Sequence, residues 1–73
     1  MEKIIAVFCT NVKAQRNADV LKNKLNAIYP HAIINFDLED CDNILRVESN
    51  KIITSQVISL LNKNGFDCVE LQD

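Results

Sequence analysis

Residues 32–48 read AIINFDLEDCDNILRVE, and apolar side chains recur at every second position on both sides of a polar turn. This spacing is typical of two strands that each bury one face. The residues between them, DCDN at 40–43, are of the kind that form turns. The stretch therefore predicts a β-hairpin. Its inward-facing residues are Ile34, Phe36, Leu38, Leu45 and Val47.

Two elements are predicted before this hairpin. Residues 3–9, KIIAVFC, are β-branched and aromatic and too few for a buried helix, so they predict a buried strand. Over residues 13–28 the apolar side chains are spaced three and four apart, which predicts one apolar helix face, and Pro30 ends the helix. That face consists of Ala18, Leu21, Leu25 and Ile28.

Two more elements are predicted after the hairpin. A second set of apolar residues at helical spacing predicts a helix, which ends at Asn64 and Gly65 because glycine adopts the left-handed conformation at a helix C-terminus. Residues 68–71 predict a last strand with Val69 and Leu71 turned inward. The apolar face of the second helix consists of Ile53, Val57, Leu60 and Leu61.

These elements form the order strand, helix, strand, strand, helix, strand, in one domain over residues 1–73. Right-handed crossovers put both helices on the same face of the sheet. The order therefore predicts an α+β, ferredoxin-like βαββαβ sandwich, in which a four-stranded antiparallel sheet of order 4-1-3-2 carries two helices on one face.

The chain resembles the heavy-metal-associated domain, the module of copper chaperones and P-type ATPase tails. The matching residues are Phe36-Asp37-Leu38-Glu39 in one strand, Leu45-Arg46-Val47 in the next, Val57 and Leu61 in a helix, and Gly65-Phe66 after it. The resemblance implies the same ferredoxin-like fold.

The family holds Cu(I) or another soft ion in a Met-x-Cys-x-x-Cys loop between the first strand and the first helix. Counting back from Val20, the two cysteine positions fall on Lys13 and Arg16, neither of which supplies a thiolate. Soft metals select sulfur ligands. The resemblance therefore implies the module without its metal site, and we expect no cofactor.

Lys13 and Arg16 indicate a different kind of ligand. Positive charges near a helix N-terminus oppose the helix dipole, and an anion held by the free amides of the first turn would offset this. One hypothesis is therefore an anion-binding loop that consists of Asn11, Lys13 and Arg16. The alternative is a solvated loop whose charges point into water.

The three cysteines, Cys9, Cys41 and Cys68, fall at one end of the predicted sheet. The first and fourth strands are neighbours about 5 Å apart, and alternation puts Cys9 and Cys68 on the helix-free face. The pair is an alternative site for copper or zinc, with Cys41 contributed by a second chain, or a redox pair. The simpler interpretation is that both pack as small apolar residues.

The helix-free face of the sheet is the predicted interface. By alternation it shows Ile5, Val7, Cys9 and Ile44, and such a stripe marks an interaction site more often than chance. We expect a homodimer packed sheet to sheet or docking onto a protein partner; the alternative is a modest patch partly covered by the stem of Arg46. The polar rim consists of Asn35, Asp37, Arg46 and Glu70.

Other kinds of site receive less support. The acidic run at 37–42 lacks the glycine that an EF-hand needs, at the position of Asp42, and its alternating carboxylates are not expected to converge. His31 is expected on the surface, beside Tyr29 with its hydroxyl in water. Because no nucleophile, base and orienting group are expected to meet, the chain is not predicted to be an enzyme.

Composition bounds the remaining choices. The chain has 73 residues, a formal charge of −2 and 48% hydrophobic residues, which fits a folded domain and argues against a nucleic-acid partner. The apolar run at 4–9 is too short for a membrane span or a signal-peptide core, so we expect a cytoplasmic protein without membrane contact. The sequence as a whole predicts a non-catalytic binding or interaction module, and the runner-up is a soft-metal carrier.

Overall fold

The computed structural model describes residues 3–71. Its strands pair antiparallel throughout, in the order β2-β3-β1-β4. The predicted ferredoxin-like α+β fold and its strand order are therefore confirmed. The elements are β1 (Ile4–Thr10), α1 (Gln15–Ile28), β2 (Ile33–Asp37), β3 (Ile44–Ser49), α2 (Thr54–Lys63) and β4 (Cys68–Leu71).

Several element boundaries differ from the sequence prediction by one or two residues, and three of these differences have a visible cause. β1 continues to Thr10, whose backbone N–H donates to the carbonyl of Asp42 at 3.1 Å. α1 begins two residues late, at Gln15, because Ala14 has an extended backbone (φ −94°, ψ 133°) and is the N-cap residue. β2 ends at Asp37, whose carboxylate accepts the N–H of Glu39 and starts the turn.

The core lies between the two helices and one face of the sheet. On the two central strands, β1 and β3, Phe8 is opposite Leu45 and Ala6 is opposite Val47, and all four side chains are buried. Burial of each large apolar side chain contributes about 1.5–3 kcal/mol. α1 packs against β2 and α2 against β4. The helices contribute Ala18, Leu21, Leu25, Val57 and Leu61 to this core.

α2 ends in the way the sequence predicts. Gly65 has a φ of 88°, and its N–H donates to the carbonyl of Asn62, while the N–H of Phe66 donates to the carbonyl of Leu61. These two bonds form a Schellman motif, in which the residue with positive φ is ordinarily glycine. The ring of Phe66 is then half-buried against the core.

Two residues predicted on the inner helix faces are exposed instead. Ile28 is 44% exposed and Ile53 is 42% exposed. Ile28 is the last residue of α1 and Ile53 directly precedes α2, so both lie at the ends of their elements rather than above the centre of the sheet. The prediction that they form part of the core is therefore wrong.

Tyr29 joins the end of α1 to the start of α2. Its hydroxyl accepts the backbone N–H of Ile53 at 3.1 Å and donates to the side-chain oxygen of Gln56 at 2.7 Å. The hydroxyl lies at the surface, as expected, and these exposed bonds engage it there. Because α2 has no side-chain cap of its own, the phenol of Tyr29 supplies an acceptor next to its first turn.

Neither helix of the described part of the chain is long and apolar enough to cross a bilayer. α1, the longer helix, has 14 residues. A helix of that length is about 21 Å long, whereas the hydrocarbon core of a bilayer is about 30 Å thick.

Replacing Tyr29 with phenylalanine is expected to lower the free energy of unfolding by about 0.5–1 kcal/mol, because the ring stays while the exposed Ile53 N–H exchanges its phenol acceptor for water. Urea denaturation measures the difference. Gln56→Leu is the control, since it removes one partner of the hydroxyl but leaves the bond to Ile53, and we expect a smaller loss. Equal stability of Tyr29→Phe and the native chain would contradict the bridging role.

Candidate functional site

The end of the sheet where β1 finishes is held together by Thr10. Its hydroxyl donates to the carbonyl of Asn43 at 2.7 Å and accepts the N–H of Val12 at 3.2 Å. Thr10 is only 6% exposed, so these bonds satisfy a buried hydroxyl. They fix the β2–β3 turn and the β1–α1 loop side by side, as the predicted topology requires.

Asn11, the first residue of the hypothetical anion site, already has a carboxylate partner. Its side-chain N–H donates to the carboxylate of Asp67 at 3.3 Å, and its side-chain oxygen accepts the N–H of Asp67 at 2.8 Å. The amide of Asn11 therefore ties the β1–α1 loop to the start of β4. An incoming anion would have to displace the Asp67 carboxylate and would be repelled by it.

Lys13 and Arg16 are both exposed on either side of the start of α1. The N-cap residue of this helix is Ala14, and no side chain caps it, so amides of the first turn remain available. The anion-binding loop of Asn11, Lys13 and Arg16 stays a prediction, with the side-chain amide of Asn11 engaged by Asp67.

Cys9 and Cys68 lie on opposite faces of the sheet. In the register of β1 and β4, Cys68 is opposite Thr10 and Cys9 is opposite Val69. Cys68 therefore points toward the helices with Thr10, where it is 7% exposed, while Cys9 points to the helix-free face. The prediction that both thiols share the helix-free face is wrong, because it took Val69 and Leu71 to face the core, whereas Cys68 and Glu70 do.

Burial raises the pKa of the Cys68 thiol from 9.0 to about 11, and the nearby Cys9 thiol adds to the rise. At neutral pH the Cys68 sulfur is thus protonated, whereas metal binding and disulfide exchange need the thiolate. Both this protonation and the opposite orientations disfavour a copper or zinc site formed by Cys9 and Cys68.

The third cysteine lies in the acidic turn. Asp40, Cys41 and Asp42 are all exposed, and their ligand atoms come within 4.8 Å of one another. The expectation that the carboxylates of this turn do not converge is therefore wrong for Asp40 and Asp42. They converge because Asp40 accepts the N–H of Asp42 at 2.8 Å, which curls the turn tightly.

The helix-free face carries the four residues predicted for an interface. Ile5, Val7 and Cys9 alternate along β1, and Ile44 is opposite Cys9 on β3. Ile5 is 49% exposed, and the other three are half-buried.

Two further apolar side chains extend this face across β4. Val69 is opposite Cys9 and Leu71 is opposite Val7, and they are 62% and 44% exposed. The sequence predicts that both side chains face the core, and this prediction is wrong. With two apolar and two other residues in a four-residue strand, alternation alone does not say which pair faces the core, and the pairing of Thr10 with Cys68 decides it. We call the six residues Ile5, Val7, Cys9, Ile44, Val69 and Leu71 the sheet patch.

Charged residues surround the sheet patch on the β2 and β3 side. Asn35 is opposite Arg46, and Asp37 is opposite Ile44. Lys3 and Glu48 form an ion pair at 3.3 Å beside Ile5. Glu70, also predicted for this rim, is opposite Phe8 and so lies toward the helix side. Its assignment to the helix-free face is wrong because the two faces of β4 are the reverse of the predicted ones.

His31 lies at the other end of the sheet, just before β2, and is exposed. It borders a shallow depression with Lys3, Glu48 and Asn50. Cys9, Cys41 and Cys68 lie near the opposite end of the sheet, about a strand length away. The chain therefore does not bring His31 together with a thiol.

Comparison of the chain with known protein families, with curated proteins and with solved structures finds no match. The fold assignment rests on the element order and the strand pairing described above. Any functional assignment has to come from the surfaces of the molecule.

The raised pKa of Cys68 makes the stability depend on alkaline pH. Folding favours the neutral thiol, so this contribution is fully present below pH 9.0, the ordinary pKa, and declines as the pH rises to about 11. We expect a loss of at most about 2–3 kcal/mol over this range. Urea denaturation from pH 8 to 11 measures it.

Two variants isolate the contribution of Cys68 to this pH dependence. Cys68→Ala should flatten the alkaline decline, whatever its effect on stability at pH 8. Cys41→Ala, which removes an exposed thiol, should leave the decline unchanged. Equal slopes for the native chain and Cys68→Ala would contradict the assignment.

Proposed function

We propose that this chain is a non-catalytic interaction module, of the heavy-metal-associated type with a replaced metal loop, that pairs with a second copy through its sheet patch. The observation that supports this is the contiguous apolar surface across β4, β1 and β3, on a face that no other element of residues 3–71 covers. Contiguous apolar surface that is open to water in a folded domain is typical of a binding site.

The arrangement of the sheet patch suits the face of another sheet. Val7 and Leu71 form one apolar row across β1 and β4, and Ile44, Cys9 and Val69 form the next. Such rows interdigitate when two sheets pack about 10 Å apart.

A second copy is the occupant that the charge pattern favours. Apolar residues occupy the β1 and β4 columns, whereas the β3 and β2 columns carry Arg46, Glu48 and Asp37, with Ile44 at the edge of the contact. The two-fold axis would run parallel to the strands, midway between the two sheets and above the line between β1 and β4. It places β1 of each copy over β4 of the other. Apolar side chains then meet apolar side chains, and the charged columns stay in water.

The size of the sheet patch implies a weak dimer. A standard interface buries about 800 Å² per partner and involves about 20–30 residues a side. The sheet patch has six residues, well below that number, so we expect it to bury less area than that standard. We expect a dimer that dissociates on dilution through the micromolar range.

Val69→Lys is expected to make the chain monomeric, because it puts a charge into the centre of the contact at a position that is 62% exposed in one copy. Its free energy of unfolding should stay within about 0.5 kcal/mol of the native value. Sedimentation velocity at several protein concentrations measures the association, and urea denaturation the stability.

Ile33→Lys is the matched control. Ile33 is 50% exposed on the same helix-free face, but it lies on β2 outside the sheet patch, so this variant should still dimerise. A native chain that stays monomeric up to millimolar concentration would overturn the proposed dimer. Dimerisation of Val69→Lys as strong as that of the native chain would overturn the proposed surface.

A further inference from the structure

The chain has a small net charge, but its basic and acidic residues are separated between its two layers. The segments that form the helices and their flanking loops, residues 11–31 and 50–66, contain six basic residues and one acidic residue. The strand segments and the hairpin turn, residues 3–10, 32–49 and 67–71, contain two basic and seven acidic residues. The formal charges of the two layers are thus +5 and −5.

A groove of about 670 Å³ runs between α1 and α2 on the outer side of the basic layer. Gln56, which accepts the hydroxyl of Tyr29, lines one end, and Lys24 reaches across the other end to the side chain of Asn64 at 2.6 Å. Its floor and walls include Ala27, Ile28, Leu60, Ser59, Lys24 and Lys63. We call this space the helix groove.

The helix groove combines an aliphatic floor with two cations. Ile28 is 44% exposed and Leu60 is half-buried there, which leaves apolar surface open to water. Lys24 and Lys63, one on each helix, are the charged residues of its lining, and no acidic side chain lines it. Among residues 3–71 neither lysine forms an ion pair, so both charges remain available to a partner.

We propose that the helix groove binds an acidic amphipathic helix from another protein. An amphipathic helix docks by placing apolar side chains, three and four residues apart, into such a groove. Ile28 and Leu60 would receive these side chains, and carboxylates on either side of them would reach Lys24 and Lys63. The occupant would be a third helix on the helix layer, at the usual packing distance of about 8–10 Å.

Two other anionic partners fit the groove less well. A nucleic acid strand is usually held by stacking on aromatic side chains, and the floor of the helix groove is aliphatic. A membrane surface is flat, whereas Ile28 and Leu60 lie between two helices and meet a ridge of side chains better than a plane.

The probe for the first test is a synthetic capped peptide of leucine and glutamate, with leucines three and four residues apart. Titrated into the ¹⁵N-labelled chain, it should shift the amides of the groove-facing turns, at 24–28 and 56–63, and leave the sheet patch unaffected. The same peptide with glutamine for glutamate should bind at least tenfold more weakly. Equal binding of both peptides, or no shifts at millimolar peptide, overturns the proposal.

Charge reversal locates the contact. Lys63→Glu and the double variant Lys24→Glu, Lys63→Glu should weaken peptide binding about threefold and tenfold. Lys22→Glu is the matched control. Lys22 is an exposed lysine on α1, as Lys24 is, but it borders Asn35 and Phe36 on the β2 side instead of the helix groove. It should change the affinity less than twofold.

Thermal denaturation of each variant checks that the chain still folds. Among residues 3–71 the side chain of Lys63 forms no hydrogen bond, so Lys63→Glu tests the charge without breaking the bond between Lys24 and Asn64. Equal losses for Lys22→Glu and Lys63→Glu would show attraction to the whole basic layer and overturn the groove. Vesicles of anionic lipid and single-stranded RNA are titrated in parallel. Tighter binding of either one at the groove amides would overturn the peptide assignment.

Discussion

Pairing of Phe8 with Leu45 on the two central strands is the interaction on which the rest of the molecule depends. Both side chains are fully buried and point to the same face of the sheet. Their orientation fixes which residues of β1 and β3 face the helices, and the alternation of the strand then puts Val7 and Ile44 on the other face. The helix layer and the open sheet face are therefore set by the same two residues. A change of register by one residue would exchange the two faces.

Side-chain hydrogen bonds connect distant segments at both ends of this sandwich, in addition to the apolar side chains that pack there. Thr10 connects the hairpin turn to the β1–α1 loop, Asn11 connects that loop to Asp67, and Tyr29 connects the two helices at the opposite end. A small domain buries a limited fraction of its surface, so bonds between distant segments contribute a larger share of its order.

The sequence was sufficient to predict the order of elements, the strand order and the glycine that ends α2, because apolar periodicity and a left-handed cap are local signals. It was not sufficient for β4, where Val69 and Leu71 were assigned to the wrong face. A strand of four residues with Cys68 at one end has two plausible orientations, and the pairing with Thr10, 58 positions earlier, decides between them. The helix groove was not predicted either, since it is formed by residues of two helices whose separation is a property of packing.

The opposite charges of the two layers give the domain a large electric dipole moment despite a net charge of only −2. A molecule of this kind experiences a torque in the field of any charged surface, and it turns while it approaches. Encounters with a negatively charged body would begin with the helices leading, and encounters with a positive one with the sheet leading. The rates of both would fall as added salt shortens the range of the field to about 10 Å or less. Orientation during diffusion is thus determined before any specific contact forms.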